Sequence, residues 1–270
     1  MSDVTRFRYD GKRVLVVGGA TGMGASAAQT VGALGAEVIV LDHAAVEFPV
    51  AQAIQVDLRD RAAIDDALAQ FDGAVDAVFS AAGVADGTPG LMKINFISHR
   101  HIVESLIENQ RLGRGGAVCF ISSVAGLAWE SNLEQVKEFL DTPDHESAAA
   151  WIDEHPGTDT YTFSKQAMNA YVAIQSYPFL KEGVRINAIC PGPTDTPLAR
   201  ANADMWLGFA QDYRDDTNTP HLVPQQMGDV MVFLNSEAAS GISGVNLLVD
   251  TGHVMSSLTG SFAPGELMMK

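Results

Sequence analysis

A doubly wound α/β fold, a parallel sheet with helices on both faces, is predicted by three observations. Short runs of apolar residues without polar alternation are separated by longer stretches with helical spacing. Such runs fit strands buried on both sides, since a strand with one wet face would alternate. A glycine cluster joins the first run to the first periodic stretch, and an acidic residue closes the second run. Both belong at the crevice where this kind of sheet takes a dinucleotide.

The elements follow in order. Residues 13–18 (RVLVVG) read as a buried strand and 22–34 as a helix of small residues. Strands are expected over 38–41 and 53–56, a helix over 62–71, and a strand over 75–81. Then come a helix over 91–110, a strand over 117–122, a helix over 160–176, and strands over 184–190 and 245–249. With no internal repeat, low-complexity tract or linker, residues 1–270 are expected to form a single domain. Two stretches stand outside the alternation. Residues 128–158 are acidic, with Leu133, Val136, Phe139 and Leu140 at helical spacing, and read as a helical insertion. Residues 194–223 mix Met205, Trp206, Leu207, Phe209 and Tyr213 with polar residues. Both exceed the usual connection of about 4–6 residues. Surplus chain at the strand ends commonly builds the ligand site, so 194–223 is read as a substrate loop. Within it Met205, Trp206, Phe209 and Tyr213 are read as an apolar lid. Trp129 and Trp151, which bracket the insertion, suit either a substrate wall or a small core of their own.

Composition excludes several classes of function. With 47% hydrophobic and 19% charged residues, the chain can bury a core. A net charge of −16, from 33 acidic and 17 basic side chains, repels phosphate backbones and anionic lipid, so neither nucleic acid nor membrane is expected as a partner. Cys119 and Cys190 lie in apolar runs and read as core residues. The polar N-terminal stretch lacks a secretory signal, and no run approaches the ~20 apolar residues that span a bilayer, so a cytoplasmic protein is expected. The seven histidines form no metal-ligand pattern. His99 and His101, two apart on a helix, cannot share a face and read as solvated or packing residues.

The glycine turn is Gly18-Gly19-Ala20-Thr21-Gly22-Met23-Gly24. Glycines at 18, 22 and 24 allow a tight turn, close approach of a pyrophosphate, and close packing of the helix on the strand. The helix start offers free N–H groups and partial positive charge to the phosphates. Asp42 lies 18 residues beyond Gly24. A carboxylate there accepts from an adenosine ribose and repels a 2′-phosphate, which favours NAD. Asp57 and Leu58, after the third strand, could receive the adenine amino group, with an acidic turn residue as the alternative. Farther on, Tyr161 and Lys165 are four apart on one helix face. An ammonium about 4 Å from a phenolate contributes on the order of 4 kcal/mol at an effective dielectric near 20, so Lys165 is expected to bring Tyr161 down toward proton-shuttling range. Ser122-Ser123 end the strand that precedes this helix.

With these residues in view, the chain resembles the short-chain dehydrogenase/reductase family from about residue 12 to 252. The resemblance is carried by VVGGATGMG (16–24), AAG (81–83), KIN (93–95), ISSVAG (121–126), YTFSK (161–165), VRINAICPGPTDTP (184–197) and LLVDTG (247–252). It implies a Rossmann-type fold and a catalytic tetrad falling on Asn95, Ser123, Tyr161 and Lys165. Tyr161 would be the general acid/base and Ser123 would hydrogen-bond the reacting oxygen. Lys165 would hold the nicotinamide ribose, and Asn95 would anchor a water. Cofactor contacts would fall on Gly18, Thr21, Gly22, Met23, Gly24, Asp42, Asp57, Leu58, Ala82, Gly83, Tyr161 and Lys165, with Pro191, Gly192, Thr194 and Thr196 covering the nicotinamide. Val17 stands where the family usually has Thr, and Ser80-Ala81 where it has an Asn pair. The 37 residues between Ser123 and Tyr161 are similar to the insertion of the 3α-hydroxysteroid dehydrogenase/carbonyl reductase subgroup.

The expected function is NAD-dependent interconversion of a secondary alcohol and a ketone, on an apolar substrate such as a hydroxysteroid or terpenoid. The alternatives are a 3-oxoacyl-thioester reductase, disfavoured by Asp42 and the acidic surface, and a non-catalytic dinucleotide sensor. The resemblance also implies a homodimer or homotetramer, with the insertion near one of the family's usual pairing helices.

Overall fold

The computed structural model describes residues 4–263. Seven strands form one parallel sheet: β1 Arg13–Val17, β2 Glu37–Asp42, β3 Gln52–Gln55, β4 Ala77–Ser80, β5 Ala117–Ile121, β6 Arg185–Pro191 and β7 Asn246–Val249. Their order is β3-β2-β1-β4-β5-β6-β7. Every predicted strand is present, shifted by a residue or two at its ends. The helices are α1 Gly22–Ala33, α2 Arg61–Ala69, α3 Ser98–Glu108, α4 Leu133–Leu140, α5 His145–Glu154, α6 Tyr161–Lys181, α7 Pro197–Ala201, α8 Ala203–Trp206, α9 Gln211–Thr217, α10 Pro224–Asn235 and α11 His253–Thr259. A turn of π-helix, Lys93–Ile97, leads into α3. Helices α10 and α11 were not anticipated. Gly228 and a run of Met and Val blur the spacing of α10, while α11 is a short helix after a glycine.

The strands are buried because each face of the sheet carries its own core. On one face Leu15, Ile39, Val78 and Phe120 pack with residues of α2, α3 and α6. On the other, Val14, Val40 and Phe79 pack with Ala27 and Val31 of α1 and Met227 and Met231 of α10. Chain direction reverses its spread at β1, which pairs with β2 on one side and β4 on the other. The turns after β1 and β4 therefore diverge at the C-terminal edge of the sheet and open a crevice there.

The insertion folds as α4 and α5. Phe139 is fully buried among the rings of Phe96, Trp151 and Phe163. Trp151 also stacks on His155. Trp129 packs at the border of this core. The Trp pair thus serves packing, and the insertion is anchored to the start of α6 through Phe163. Among the described residues no helix is long and apolar enough to cross a membrane.

Candidate active site

Two cavities meet at the C-terminal edge of the sheet. The first, about 790 Å³, runs from the glycine turn past Asp42 to Leu58 and Arg59. The second, about 430 Å³, holds Ser123, Tyr161 and Lys165 beneath Met205, Trp206 and Phe209. Met23, Ala81, Ala82, Gly83, Thr196 and Leu198 line both and mark where they join.

Close packing explains the glycines. Gly18 has φ +80°, and a Cβ on it would lie 2.3 Å from the Ala82 nitrogen. A Cβ on Gly24 would lie 2.0 Å from the Gly18 carbonyl oxygen. Gly24 is therefore a packing residue and does not line either cavity, whereas Gly18, Thr21, Gly22 and Met23 do. Among the described residues no side chain caps the start of α1, which leaves its first N–H groups free to meet an anion. Asp42, only 9% exposed, accepts from the Ala20 N–H at 2.8 Å and the Ala44 N–H at 2.9 Å. These bonds fix the carboxylate in the cavity wall and leave lone pairs free to accept further donors. A donor-lined crevice with a fixed carboxylate at one end fits a dinucleotide.

Asp57 is engaged as an acidic turn residue. Its carboxylate is engaged by the Arg59 side chain, at 2.9 Å through Nε and 2.6 Å through Nη2, and by the Arg59 N–H at 2.9 Å. Arg59 holds its pKa below the usual carboxylate range. Both oxygens are committed to Arg59, so this end of the cavity presents an ion pair. Leu58 lines the same cavity.

Ser123 leaves β5 and starts a short 3-10 turn, accepting from the Ala125 N–H at 3.1 Å. Its hydroxyl is also a neighbour of the Tyr161 phenol and acts to lower that group's pKa. Tyr161 is the first residue of α6, whose N-cap Thr160 accepts from the Phe163 N–H at 3.2 Å. One turn later, Lys165 donates to the Ile121 carbonyl at 2.8 Å. Its Nζ lies 5.4 Å from the centre of the Tyr161 ring.

The expected lowering of the Tyr161 pKa is not found. Burial pushes it up to about 12, Ser123 opposes the rise, and the charges of Asp86 and Cys190 add to it. Burial also lowers Lys165 to about 8. Removing the phenolate from water costs more than the neighbouring groups return, and the ammonium is turned to a backbone carbonyl.

Asn95 is fully buried, in the π turn, and its carboxamide is committed elsewhere. It accepts from the Val84 N–H at 2.7 Å and donates to the Val84 carbonyl at 3.0 Å. Its side chain thus pins the loop after β4 and does not line either cavity. Pro191, Gly192, Thr194 and Thr196 border the Tyr161 cavity. Of the expected lid, Met205, Trp206 and Phe209 line the cavity, but Tyr213 does not. The Tyr213 hydroxyl donates to the Thr251 carbonyl at 3.0 Å and its ring packs on His253, so it anchors the loop. Cys119 and Cys190 are free and buried.

Sequence reasoning missed three features. Arg59 carries a charge in a place that only the fold brings to the crevice. Asp86 lies beside Tyr161. His99 is buried beneath the crevice floor, bonded through Nδ1 to the Ser80 hydroxyl and through Nε2 to the Ala82 carbonyl at 3.0 Å. Burial holds it near 4, so it is neutral, donating from Nε2 and accepting at Nδ1. The Ser80 substitution was a visible signal for this pair. Among the described residues no group of three or more His, Cys, Asp or Glu is arranged to hold a metal ion.

A family model described as short chain dehydrogenase matches residues 12–133, and one described as Enoyl-(Acyl carrier protein) reductase matches residues 147–254. The chain is 28% identical over 247 residues to a coniferyl-alcohol dehydrogenase of Pseudomonas sp., covering 89% of this chain and 96% of that one. It is 28% identical over 253 residues to a 3-alpha-hydroxysteroid dehydrogenase/carbonyl reductase of Comamonas testosteroni, covering 88% and 95%. The solved structure of the 3-alpha-hydroxysteroid dehydrogenase from Pseudomonas sp. B-0831, complexed with NADH, shares its fold with a TM-score of 0.74 at 21% identity, covering 93% of this chain and 100% of that one. By these matches and its seven-stranded parallel sheet, the chain belongs to the short-chain dehydrogenase/reductase family, oxidoreductases that bind a nicotinamide dinucleotide and act on alcohols and ketones.

Proposed function

We propose that this protein is an NAD-dependent dehydrogenase that interconverts a secondary alcohol and a ketone on an uncharged, apolar, ring-bearing substrate. The observation that carries this reading is the wall over Tyr161. The Trp206 ring lies 4.9 Å from the Tyr161 ring, tilted by 43°, with Met205 and Phe209 beside it in the same cavity. Flat apolar surface over a half-buried phenol and a buried serine suits a hydrophobic ring carrying the reacting carbon. Among the described residues the one cation lining the cavity is Lys165, already bonded to a carbonyl, so they offer an acidic group on the substrate no free counter-charge.

When bound, the nicotinamide supplies the hydride acceptor or donor. Tyr161 gives its phenolic proton to the substrate oxygen during reduction and takes it back during oxidation. Ser123 donates to that oxygen and orients it. Lys165 would hold the nicotinamide ribose. Asn95 acts at one remove, holding the loop at Val84. Gly18, Thr21, Gly22 and Met23 meet the pyrophosphate, Asp42 the adenosine ribose, and Pro191 to Thr196 the nicotinamide. Asp42 supports NAD over NADP, because its fixed charge faces the place of a 2′-phosphate.

Residues 1–270 are proposed to act as one domain, in a homodimer or homotetramer. The insertion packs on the first turns of α6 through Phe163, so association would use another surface, which light scattering reads as mass. The function is tested by following NADH at 340 nm with hydroxysteroids, terpenols and cyclic alcohols. Turnover is expected with NAD, and no response to any of them would reject the reading.

A further inference from the structure

The loop after β4 brings a carboxylate to the rim of the Tyr161 cavity. Ala85–Thr88 is a turn closed by the Thr88 N–H on the Ala85 carbonyl at 3.3 Å, with Gly87 at φ +83° as its third residue. Val84, just before it, is pinned from both sides by Asn95. Asp86 then accepts from the Tyr161 N–H at 2.6 Å. The carboxylate is held at both ends of its loop and stands at the α6 N-terminus, where negative charge is favoured. Its second oxygen makes no hydrogen bond, and Asp86 has no cationic partner, among the described residues.

We infer that Asp86 is a specificity-determining residue, accepting a hydroxyl of the substrate remote from the reacting carbon and rejecting substrates that carry a carboxylate there. The inference rests on the alcohol/ketone reading of the same cavity. Asp86 and Lys165 are the charged side chains lining it, and Lys165 is spent on the Ile121 carbonyl. Asp86 is bonded to the backbone end of Tyr161, while the reacting oxygen meets the hydroxyl end. The two positions are separated by about the length of one tyrosine side chain, close to the span across a cyclohexane ring with oxygens at opposite corners. Two like charges at ~6 Å reduce binding by roughly 3- to 100-fold between bulk-water and surface dielectrics. A hydroxyl donated to an ionised acceptor gains in the opposite sense.

A cap on α6 alone would explain the Tyr161 bond without any effect on substrate choice. D86N separates the two roles, because its amide oxygen still accepts the Tyr161 N–H while the charge is gone. D86A removes both. The test compares kcat/KM for 1,4-cyclohexanediol and 4-hydroxycyclohexanecarboxylate in wild type, D86N and D86A, with NAD. In wild type the diol is expected to be favoured by roughly tenfold or more. In D86N that preference should shrink at least fivefold, chiefly through KM, and D86A should shrink it likewise. An unchanged diol-to-acid ratio in D86N, or a wild type that favours the acid, would overturn the inference. Absence of turnover in every enzyme would count against the alcohol/ketone reading and leave the inference to calorimetric titration of the same two compounds. There, a rise in acid affinity relative to diol in D86N supports Asp86, and an equal ratio in the two proteins overturns it.

Discussion

Lys165 donates to the carbonyl of Ile121 at 2.8 Å while its Nζ stays 5.4 Å from the centre of the Tyr161 ring. The lysine thus spends its strongest bond on the end of β5. Burial raises the phenol to about 12 and lowers the ammonium to about 8. At neutral pH both groups carry their protons, so this arrangement is set for giving a proton to a ketone oxygen.

A pH dependence follows. Ketone reduction should be flat from pH 6 to 10, because a phenol held near 12 keeps its proton over that range. Alcohol oxidation should rise over the same range, because it needs the phenolate. Initial rates in both directions between pH 6 and 10 check this, and oxidation that declines steadily from pH 6 would contradict it.

Trp206 should govern affinity for bulky substrates. An aromatic contact is worth about 0.5–1.5 kcal/mol beyond area burial. Trp206→Ala is expected to raise KM for a polycyclic alcohol by roughly 2- to 10-fold, with a smaller effect on a short aliphatic alcohol. Steady-state kinetics on the pair of substrates reads the difference, and equal effects on both would remove Trp206 from substrate contact.

Asp42 should set the cofactor preference. Asp42→Ser removes the charge facing the ribose and is expected to narrow the NAD-to-NADP ratio of kcat/KM by about tenfold. An unchanged ratio would place the discrimination elsewhere, with the Asp57–Arg59 pair at the adenine end as the next group to vary.

His99 should make stability depend on pH. Its folded pKa of about 4 lies below the unfolded value of 6.5. The folded state therefore binds fewer protons between these values. The contribution is full above pH 6.5 and is lost as pH falls toward 4, on the order of 3 kcal/mol. Urea unfolding at pH 7.5 and 4.5 measures the loss. His99→Gln should flatten it, although buried His145 and His253, also lowered, act in the same direction.

The fold was legible because the strands are continuous apolar runs and the glycine turn has a single geometric use. Tyr161, Lys165 and Ser123 were legible through spacing, and the structure brings them into one cavity. What could not be read were consequences of burial and of loops closing on each other. The four-residue spacing of Tyr161 and Lys165 says that they share a face, but it cannot say that the lysine reaches Ile121. Likewise Asn95 could be named, but its carboxamide goes to Val84, a partner chosen by the π turn. Asp86 gave no sequence signal at all, since an acidic residue before glycine reads as an ordinary turn.

The central claim is that Tyr161 carries the proton in a dehydrogenase reaction. Tyr161→Phe keeps the ring against Trp206 and removes the hydroxyl alone. With a substrate that the wild type oxidises, the variant is predicted to lose turnover by about 10²–10⁴-fold while binding NADH with nearly unchanged affinity in a fluorescence titration. Turnover retained within a few-fold of wild type, with NADH still bound, would contradict the account.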